Sequence, residues 1–234
     1  MTNALIHDKA VRGRTQTGWL NSYHTFSFGR FNDPKRMGHR ALRVINEDVV
    51  IPGAGFGEHS HADMDIISYV IAGGLHHEDA MGNSSVIKAG EFQHMYAGTG
   101  VTHTEMNASD VEKVHFLQIW LIPEQTGGDP TYFQIAPDLD RRRNSFVPVA
   151  SPEAQKNQAM LRSDTRVFMA CLDAGAAVQH DYATGRAGFL QVVKGIVELD
   201  GQRLSAGDGL QFAERSACLI NATSEAELML FDLS

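Results

Sequence analysis

Two short pairs, His59-Ser-His61 and His103-Thr-Glu105, carry residue types that bind transition metals. Residues at i and i+2 of a β-strand face the same side, so each pair offers two donor atoms to one face. If the two strands are neighbours, three imidazoles and one carboxylate converge on one interior point. Imidazole suits iron, copper, zinc, nickel and cobalt, and the carboxylate adds a harder ligand. Four protein ligands around an ion that accepts five or six leave positions open, as a catalytic centre needs and a structural one does not. No thiolate joins the set, which argues against structural zinc. A lone His-x-His in a β protein is a weak sign; two such pairs, each preceded by glycines, are a stronger one.

The elements that must position these pairs are strands. The chain has 22 glycines, and turn pairs such as Gly73–Gly74, Gly82–Asn83 and Gly127–Gly128 interrupt short β-branched and aromatic runs. This spacing predicts an all-β sandwich or barrel. One short helix is predicted from Ser151, an N-cap followed by proline. An internal repeat is also present. Tyr69-Val-Ile-Ala-Gly-Gly and the later Lys88-Ala-Gly-Glu match Gln191-Val-Val-Lys-Gly-Ile and the later Ser205-Ala-Gly-Asp. The hairpin tips at Gly82 and at Asp200–Gly201 suit tight turns with positive φ. Two copies of one β module are expected: residues 1–125, a linker over 126–150, and residues 151–234.

Composition narrows the function. The net charge of -8 gives no general attraction to nucleic acid or to anionic membrane, and Arg141–Arg143 reads as a solvated linker. Two cysteines, Cys171 and Cys218, make no disulfide framework and read as inert, buried thiols. No signal-peptide core and no membrane-spanning run occur, so a cytoplasmic protein is expected.

The residues around the two pairs are similar to known motifs. Gly53-x5-His59-x-His61-x3-Asp65-x6-Ala72-Gly73 resembles the first cupin motif, and Gly90-x7-Gly98-x4-His103-x3-Asn107 the second. More specifically the chain resembles the pirin family of bicupins, and within it bacterial members with quercetin 2,3-dioxygenase activity. The strings that carry this are Ser22-Tyr-His-Thr-Phe-Ser-Phe-Gly, His77-Glu-Asp-Ala-Met-Gly-Asn, Ala97-Gly-Thr-Gly-Val-Thr-His-Thr-Glu and Leu117-Gln-Ile-Trp-Leu-Ile-Pro. The resemblance implies two tandem cupin (double-stranded β-helix, jelly-roll) barrels. It implies one divalent metal, usually Fe(2+) and alternatively Cu, Ni, Co, Zn or Mn, in the first barrel only. The ligands implied are His59, His61, His103 and Glu105, and Asp65 is set aside. The activity implied is opening of the central ring of a flavonol such as quercetin by O2 with release of carbon monoxide. Glu105 either stays a ligand or accepts the 3-hydroxyl proton. The family also implies a rival role, a metal-dependent regulator that binds a transcription factor or metabolic enzyme. A cupin isomerase or sugar binder is a third, since fold alone does not fix chemistry. A monomer is expected.

The repeat tests where the site lies. Aligning Gly73 with Gly195 sets Asp181 and Ala183 opposite His59 and His61, and aligning Gly90 with Gly207 sets Ile220 opposite His103. The second copy then lacks the ligands, apart from an isolated His180. Other histidines read as support: one of His76 and His77 faces inward, His115 packs in the core, His24 is a candidate for the barrel mouth, and His94 and Met95 lie near the pocket wall. Trp19 and Phe92 read as core.

Overall fold

A computed structural model describes residues 4–138 and 140–234. Residues 1–3 and 139, which the expected first domain and linker include, lie outside the described residues. Strand β1 (Ala4–His7) is followed by a 3-10 turn at Lys9–Val11. The chain then runs through β2 (Gly13–Gln16), β3 (Leu20–His24), β4 (Leu42–Val50), β5 (Gly55–His61), β6 (Asp65–Ala72) and β7 (Gly74–Asp79). Next come β8 (Ser84–Lys88), β9 (Phe92–Tyr96), β10 (Val101–Asn107), β11 (Val114–Leu121) and β12 (Thr131–Ile135). The second half holds β13 (Val147–Ser151), β14 (Ala159–Met160), β15 (Thr165–Leu172), β16 (Ala177–Asp181) and β17 (Ala187–Lys194). It ends with β18 (Ile196–Leu199), β19 (Gln202–Ser205), β20 (Gly209–Phe212), β21 (Ala217–Ala222) and β22 (Ala226–Leu233).

The strands form two units of one plan. In the first, a seven-stranded sheet ordered β12-β9-β6-β11-β4-β3-β2 accompanies a four-stranded sheet ordered β5-β10-β7-β8. In the second the orders are β1-β20-β17-β22-β15-β13-β14 and β16-β21-β18-β19. The unit boundaries differ from the expected ranges. Strand β1 groups with the second unit because it pairs with β20, from Ala4↔Phe212 to His7↔Gly209. The expected linker contributes β12 to the first unit, and Leu161–Ser163 also belong there. Thr131-Tyr-Phe-Gln-Ile is β-branched and aromatic, so it pairs with β9 instead of staying a connector.

The helix predicted from Ser151 does not form, and no α-helix occurs among the described residues. Ser151 ends β13, and turns come next in which Asn157 takes φ 65°. The segment is short and has no apolar stripe to bury, so its capping signal has nothing to cap. The hairpin tips behave as expected: Gly82, Asp200 and Gly201 all have positive φ.

Burial inside the first barrel comes in layers. Along the seven-stranded sheet, register partners Leu20↔Val50↔Val114 form an apolar rung. Ser22↔Asp48↔Phe116↔Val70 form the next. Then His24↔Asn46↔Gln118↔Ser68↔Gln93 run across five strands as a polar belt. Val44↔Trp120↔Ile66↔Met95 restore an apolar rung beyond it. The belt divides the apolar clusters, one holding Leu20, Val50, Val70 and Phe116, the other Ile66, Met95, Ala97 and Val101. The second barrel has no such break. One apolar cluster joins Leu190, Val192, Leu228 and Leu230 of its large sheet to Val178, Val197, Leu204 and Ile220 of its small one. Polar residues at core positions cost stability unless partnered, so the first barrel is built around a polar task and the second around packing.

Candidate metal centre

The two histidine pairs fall on adjacent strands. β5 and β10 pair antiparallel, with His103 opposite His59, and a β-bulge lies between that pair and Glu105↔Phe56. Gly57 and Glu58 there face a single residue, Thr104. The extra residue bends the strand and re-aims the side chains beyond it, here His59 and His61. Gly55 lets the strands approach: a Cβ built on it would lie 2.4 Å from the Glu105 carbonyl oxygen and 2.5 Å from Met106 Cα. We expect Gly55→Ala to lower stability by roughly 1–3 kcal/mol and to weaken metal binding, read by thermal melting and metal titration. An unchanged variant would show that the close approach is not required.

The three imidazoles converge. Ring centroids are 4.3 Å apart for His59–His103, 4.9 Å for His59–His61 and 5.1 Å for His61–His103, and their ligand atoms all lie within 4.8 Å of one another. A metal bonded at about 2.1 Å to each would draw these nitrogens to about 3–4 Å apart, a small tightening. The unpaired nitrogens fit that role: Nε2 of His61 and Nε2 of His103 are buried with no hydrogen-bond partner. Burial, with the neighbouring imidazoles, pushes His61 down to about 4 and His103 down to about 3, so both are neutral with a free lone pair.

Hydrogen bonds behind the rings fix which nitrogen faces inward. His59 Nδ1 donates to the Gly57 carbonyl, 2.8 Å away in the bulge, leaving Nε2 bare. His77, fully buried, is 3.0 Å through Nε2 from Asp79 Oδ2 and 3.4 Å through Nδ1 from His103 Nδ1. With Nε2–H given to Asp79, His77 Nδ1 accepts from His103 Nδ1–H, and His103 Nε2 stays unprotonated. Asp79 is itself held by the Asn83 side-chain amide, and by backbone N–H of Met81 and Asn83 in the hairpin tip. Such support orients a ligand and raises its basicity. Asp79→Ala is therefore expected to weaken metal affinity about 10- to 100-fold, measured by competition with a chelator. Wild-type affinity would remove Asp79 from this role.

Glu105 stands beside the three imidazoles. It groups with His77 and His103 within the same 4.8 Å span rather than with all three converging rings. It is 2% exposed, and burial pushes its carboxyl up to about 7 against two hydrogen bonds. Ser68 Oγ lies 3.0 Å from Oε1, and Gln118 Nε2 donates to Oε2 at 2.8 Å. Ser68 Oγ is also 2.7 Å from Gln118 Oε1. Its single proton serves one of these acceptors at a time.

A pocket of about 200 Å³ opens on the cluster. His59, His61, Glu105 and Gln118 line one part; Phe28, Phe56 and Trp120 supply aromatic walls; Ser22, His24, Asn46 and Asp48 supply polar ones. Trp120 meets Phe28 edge to face at 5.5 Å and His61 at 5.1 Å. Sequence reasoning missed these aromatics and Asp48. The signal was the alternation Phe116, Gln118, Trp120 on one face of β11, paired with Asp48, Asn46 and Val44 of β4.

Other expectations divide. His24 is buried and lines the pocket, bonded to Thr15 and Asn46. His77 is the inward member of its pair, and His76 is half-buried near Glu78. Asp65 is buried away from the cluster, bonded to His94 at 2.8 Å and to the Arg162 N–H. His94 therefore faces opposite to the pocket, and Met95 packs in an apolar cluster; neither forms the pocket wall as expected. His115 is not core: its side chain is 30% exposed and bonded to Glu47, beyond the covered part of β11. Phe92 is core, whereas Trp19 is half-buried against Phe56. Cys218 is buried; Cys171 is only half-buried, and burial raises both thiols.

The repeat alignment needs a correction. Asn107↔Leu75 in the first barrel corresponds to Ala222↔Val197 in the second, so Glu105 matches Ile220 and His103 matches Cys218. Cys218 pairs with His180 as His103 pairs with His59. The positions equivalent to His59 and His61 are thus His180 and Tyr182, not Asp181 and Ala183. The connector that leads to β17 (residues 183–186) is one residue longer than the one that leads to β6 (residues 62–64), and this shifts the count. His180 is 3.0 Å from Asp232 Oδ2, Tyr182 Oη lies 3.7 Å from Cys218 Sγ, and Ile220 is in the apolar cluster.

Two tandem barrels of this topology, one filled by hydrocarbon and one opened by a polar belt, define a bicupin. The chain belongs to the pirin family: the family described as Pirin matches residues 7–121, and the quercetinase C-terminal cupin domain matches residues 148–233. A protein named quercetin 2,3-dioxygenase from Escherichia coli (strain K12) is 43% identical over 222 residues, 95% of each chain. A pirin-like protein of Caulobacter vibrioides is 38% identical, over 94% of this chain and 95% of that one. The crystal structure of the bacterial pirin YhhW in complex with nickel(II) from Escherichia coli superposes with a TM-score of 0.93, at 40% identity over 98% of both chains.

Proposed function

We propose that this chain is a metal-dependent dioxygenase that opens the central ring of flavonols such as quercetin. The observation that carries the reading is the meeting of three imidazoles at the edge of an aromatic-walled pocket, with Nε2 of His61 and Nε2 of His103 buried and without a hydrogen-bond partner. His59, His61 and His103, with Glu105 as the fourth ligand, hold one divalent transition metal; Fe(2+) is the ion we expect in the cell, and the nickel(II) complex of the Escherichia coli relative supports a divalent ion. When bound, the ion stabilises an anionic substrate oxygen and makes it reactive toward O2.

The chain's own residues do the rest. Phe28, Phe56 and Trp120 offer flat faces to a planar ring system and exclude water. Glu105 accepts the proton of the flavonol 3-hydroxyl at Oε1. Ser68 makes this possible: turned toward Gln118 Oε1, it gives up its bond to Glu105, and its Oγ accepts from the newly protonated Oε1. No buried group loses a partner in the exchange.

The test pairs elemental analysis of the purified protein with oxygen uptake on a flavonol panel. One metal per chain and O2 consumed with carbon monoxide released are expected. Turnover that survives removal of the metal would overturn the reading.

A further inference from the structure

Asp48 is a second carboxylate in the pocket, and neither the proposed ligand set nor the proton transfer at Glu105 uses it. It sits on β4, one rung from the polar belt, between Ser22 on β3 and Phe116 on β11. It is 3% exposed and lines the pocket. The Ser22 hydroxyl donates to one of its oxygens; the other, Oδ1, is buried and has no hydrogen-bond partner in the protein. A buried carboxylate oxygen without a partner, on a residue that lines a cavity, is costly to the free protein and specific toward whatever donates to it.

Resting on the flavonol reading of this pocket, we infer that Asp48 Oδ1 accepts a hydrogen bond from one hydroxyl of the bound polyphenol and so selects substrates by their hydroxyl pattern. The chemistry favours a hydroxyl donor. The remaining pocket walls are aromatic or already bonded: His24 is engaged by Thr15 and Asn46, and Gln118 by Ser68 and Glu105. A site built to bond a substrate hydroxyl rejects analogues that lack it, because its own buried group is then left unpaired. Burial raises the Asp48 carboxyl to about 7, the Ser22 hydrogen bond and His115 opposing and the charges of Glu105 and Glu47 adding to the rise; a further donor would lower it again.

The experiment measures anaerobic binding of quercetin and of its individual mono-O-methyl ethers to the metal-loaded protein, wild type and Asp48→Ala. Quenching of intrinsic fluorescence reports binding, and elemental analysis confirms equal metal content. Asp48→Ala is expected to weaken quercetin binding about tenfold or more. The wild-type to variant ratio is expected to fall to about one for the ether that blocks the hydroxyl held by Asp48, and to persist for the others. Asp48→Asn, which keeps the volume of the side chain, serves as a second variant should alanine disturb the barrel. Equal quercetin affinity in wild type and variants would overturn the inference, and so would a penalty identical across all the ethers, since that marks a structural effect. If the wild type binds no flavonol, the flavonol reading fails, and this inference with it.

Discussion

His103→Ala is expected to leave the protein folded, with metal content near zero and no measurable flavonol turnover. His103 is the most constrained of the four proposed ligands. It lies on an inner strand of the small sheet, paired on one side with His59 and on the other with Asp79. Its ring is 4.3 Å from His59 and 5.2 Å from His77. Losing it removes one of three imidazoles and also ends the chain of hydrogen bonds from Asp79 through His77. The loss of affinity is expected to exceed the roughly 10- to 100-fold that a supporting residue contributes. The fold should survive because the ring is not what fills the core; the apolar rungs above and below the polar belt do that. A melting experiment separates the two outcomes. A ligand that binds only the native state stabilises it by about 2.7 kcal/mol at a hundred times its dissociation constant, so added metal should raise the wild-type Tm and leave the variant's unchanged. A variant that still melts higher with metal would show that the remaining side chains suffice.

Much of this centre is legible in the sequence, and the reason is periodicity. His59 and His61, and likewise His103 and Glu105, are two residues apart, and only a strand puts such pairs on one face. Repeated glycine turns then make neighbouring strands the economical arrangement. What is not legible depends on register. The connector before β17 (residues 183–186) is one residue longer than the connector before β6 (residues 62–64), and a one-residue shift moves side chains to the other face. The repeat alignment therefore sets Asp181 and Ala183 against the ligands, where the pairing sets His180 and Tyr182. The pocket wall is hidden for a related reason. Asp48, Asn46 and Gln118 are polar residues at interior positions, and in sequence they resemble the outward half of an alternating strand. His115 misleads in the opposite sense, since its face of β11 is covered only farther along. The unit boundaries depend on long-range pairing, as when β1 joins β20, and local sequence carries no sign of that.

Glu105→Gln is expected to fold normally, to bind metal about 10- to 100-fold more weakly, and to lose flavonol turnover by a factor of about 100 to 10,000 at saturating metal. The hydrogen-bond geometry explains why the fold tolerates it. With the new amide oxygen placed where Oε2 stood, Gln118 Nε2 keeps its acceptor. The new amide nitrogen then faces Ser68 Oγ, which accepts from it while donating to Gln118 Oε1 at 2.7 Å. Every buried polar atom retains a partner, so stability should change by no more than about 1 kcal/mol. The chemistry is not tolerated, because an amide takes up no proton at neutral pH and carries no negative charge toward a dication. The same arrangement that lets Glu105 gain a proton through Ser68 is frozen in the amide, in the protonated-like state. Ser68→Ala gives the complementary case: Glu105 keeps its carboxylate and its bond from Gln118 but loses the hydroxyl that receives the proton, so a smaller decline in turnover with near-normal metal content is expected. Metal content and oxygen uptake measured side by side distinguish these outcomes. Full turnover in Glu105→Gln with metal bound would show that the proton leaves the substrate by another group, and would remove Glu105 from the reaction while keeping it as a ligand.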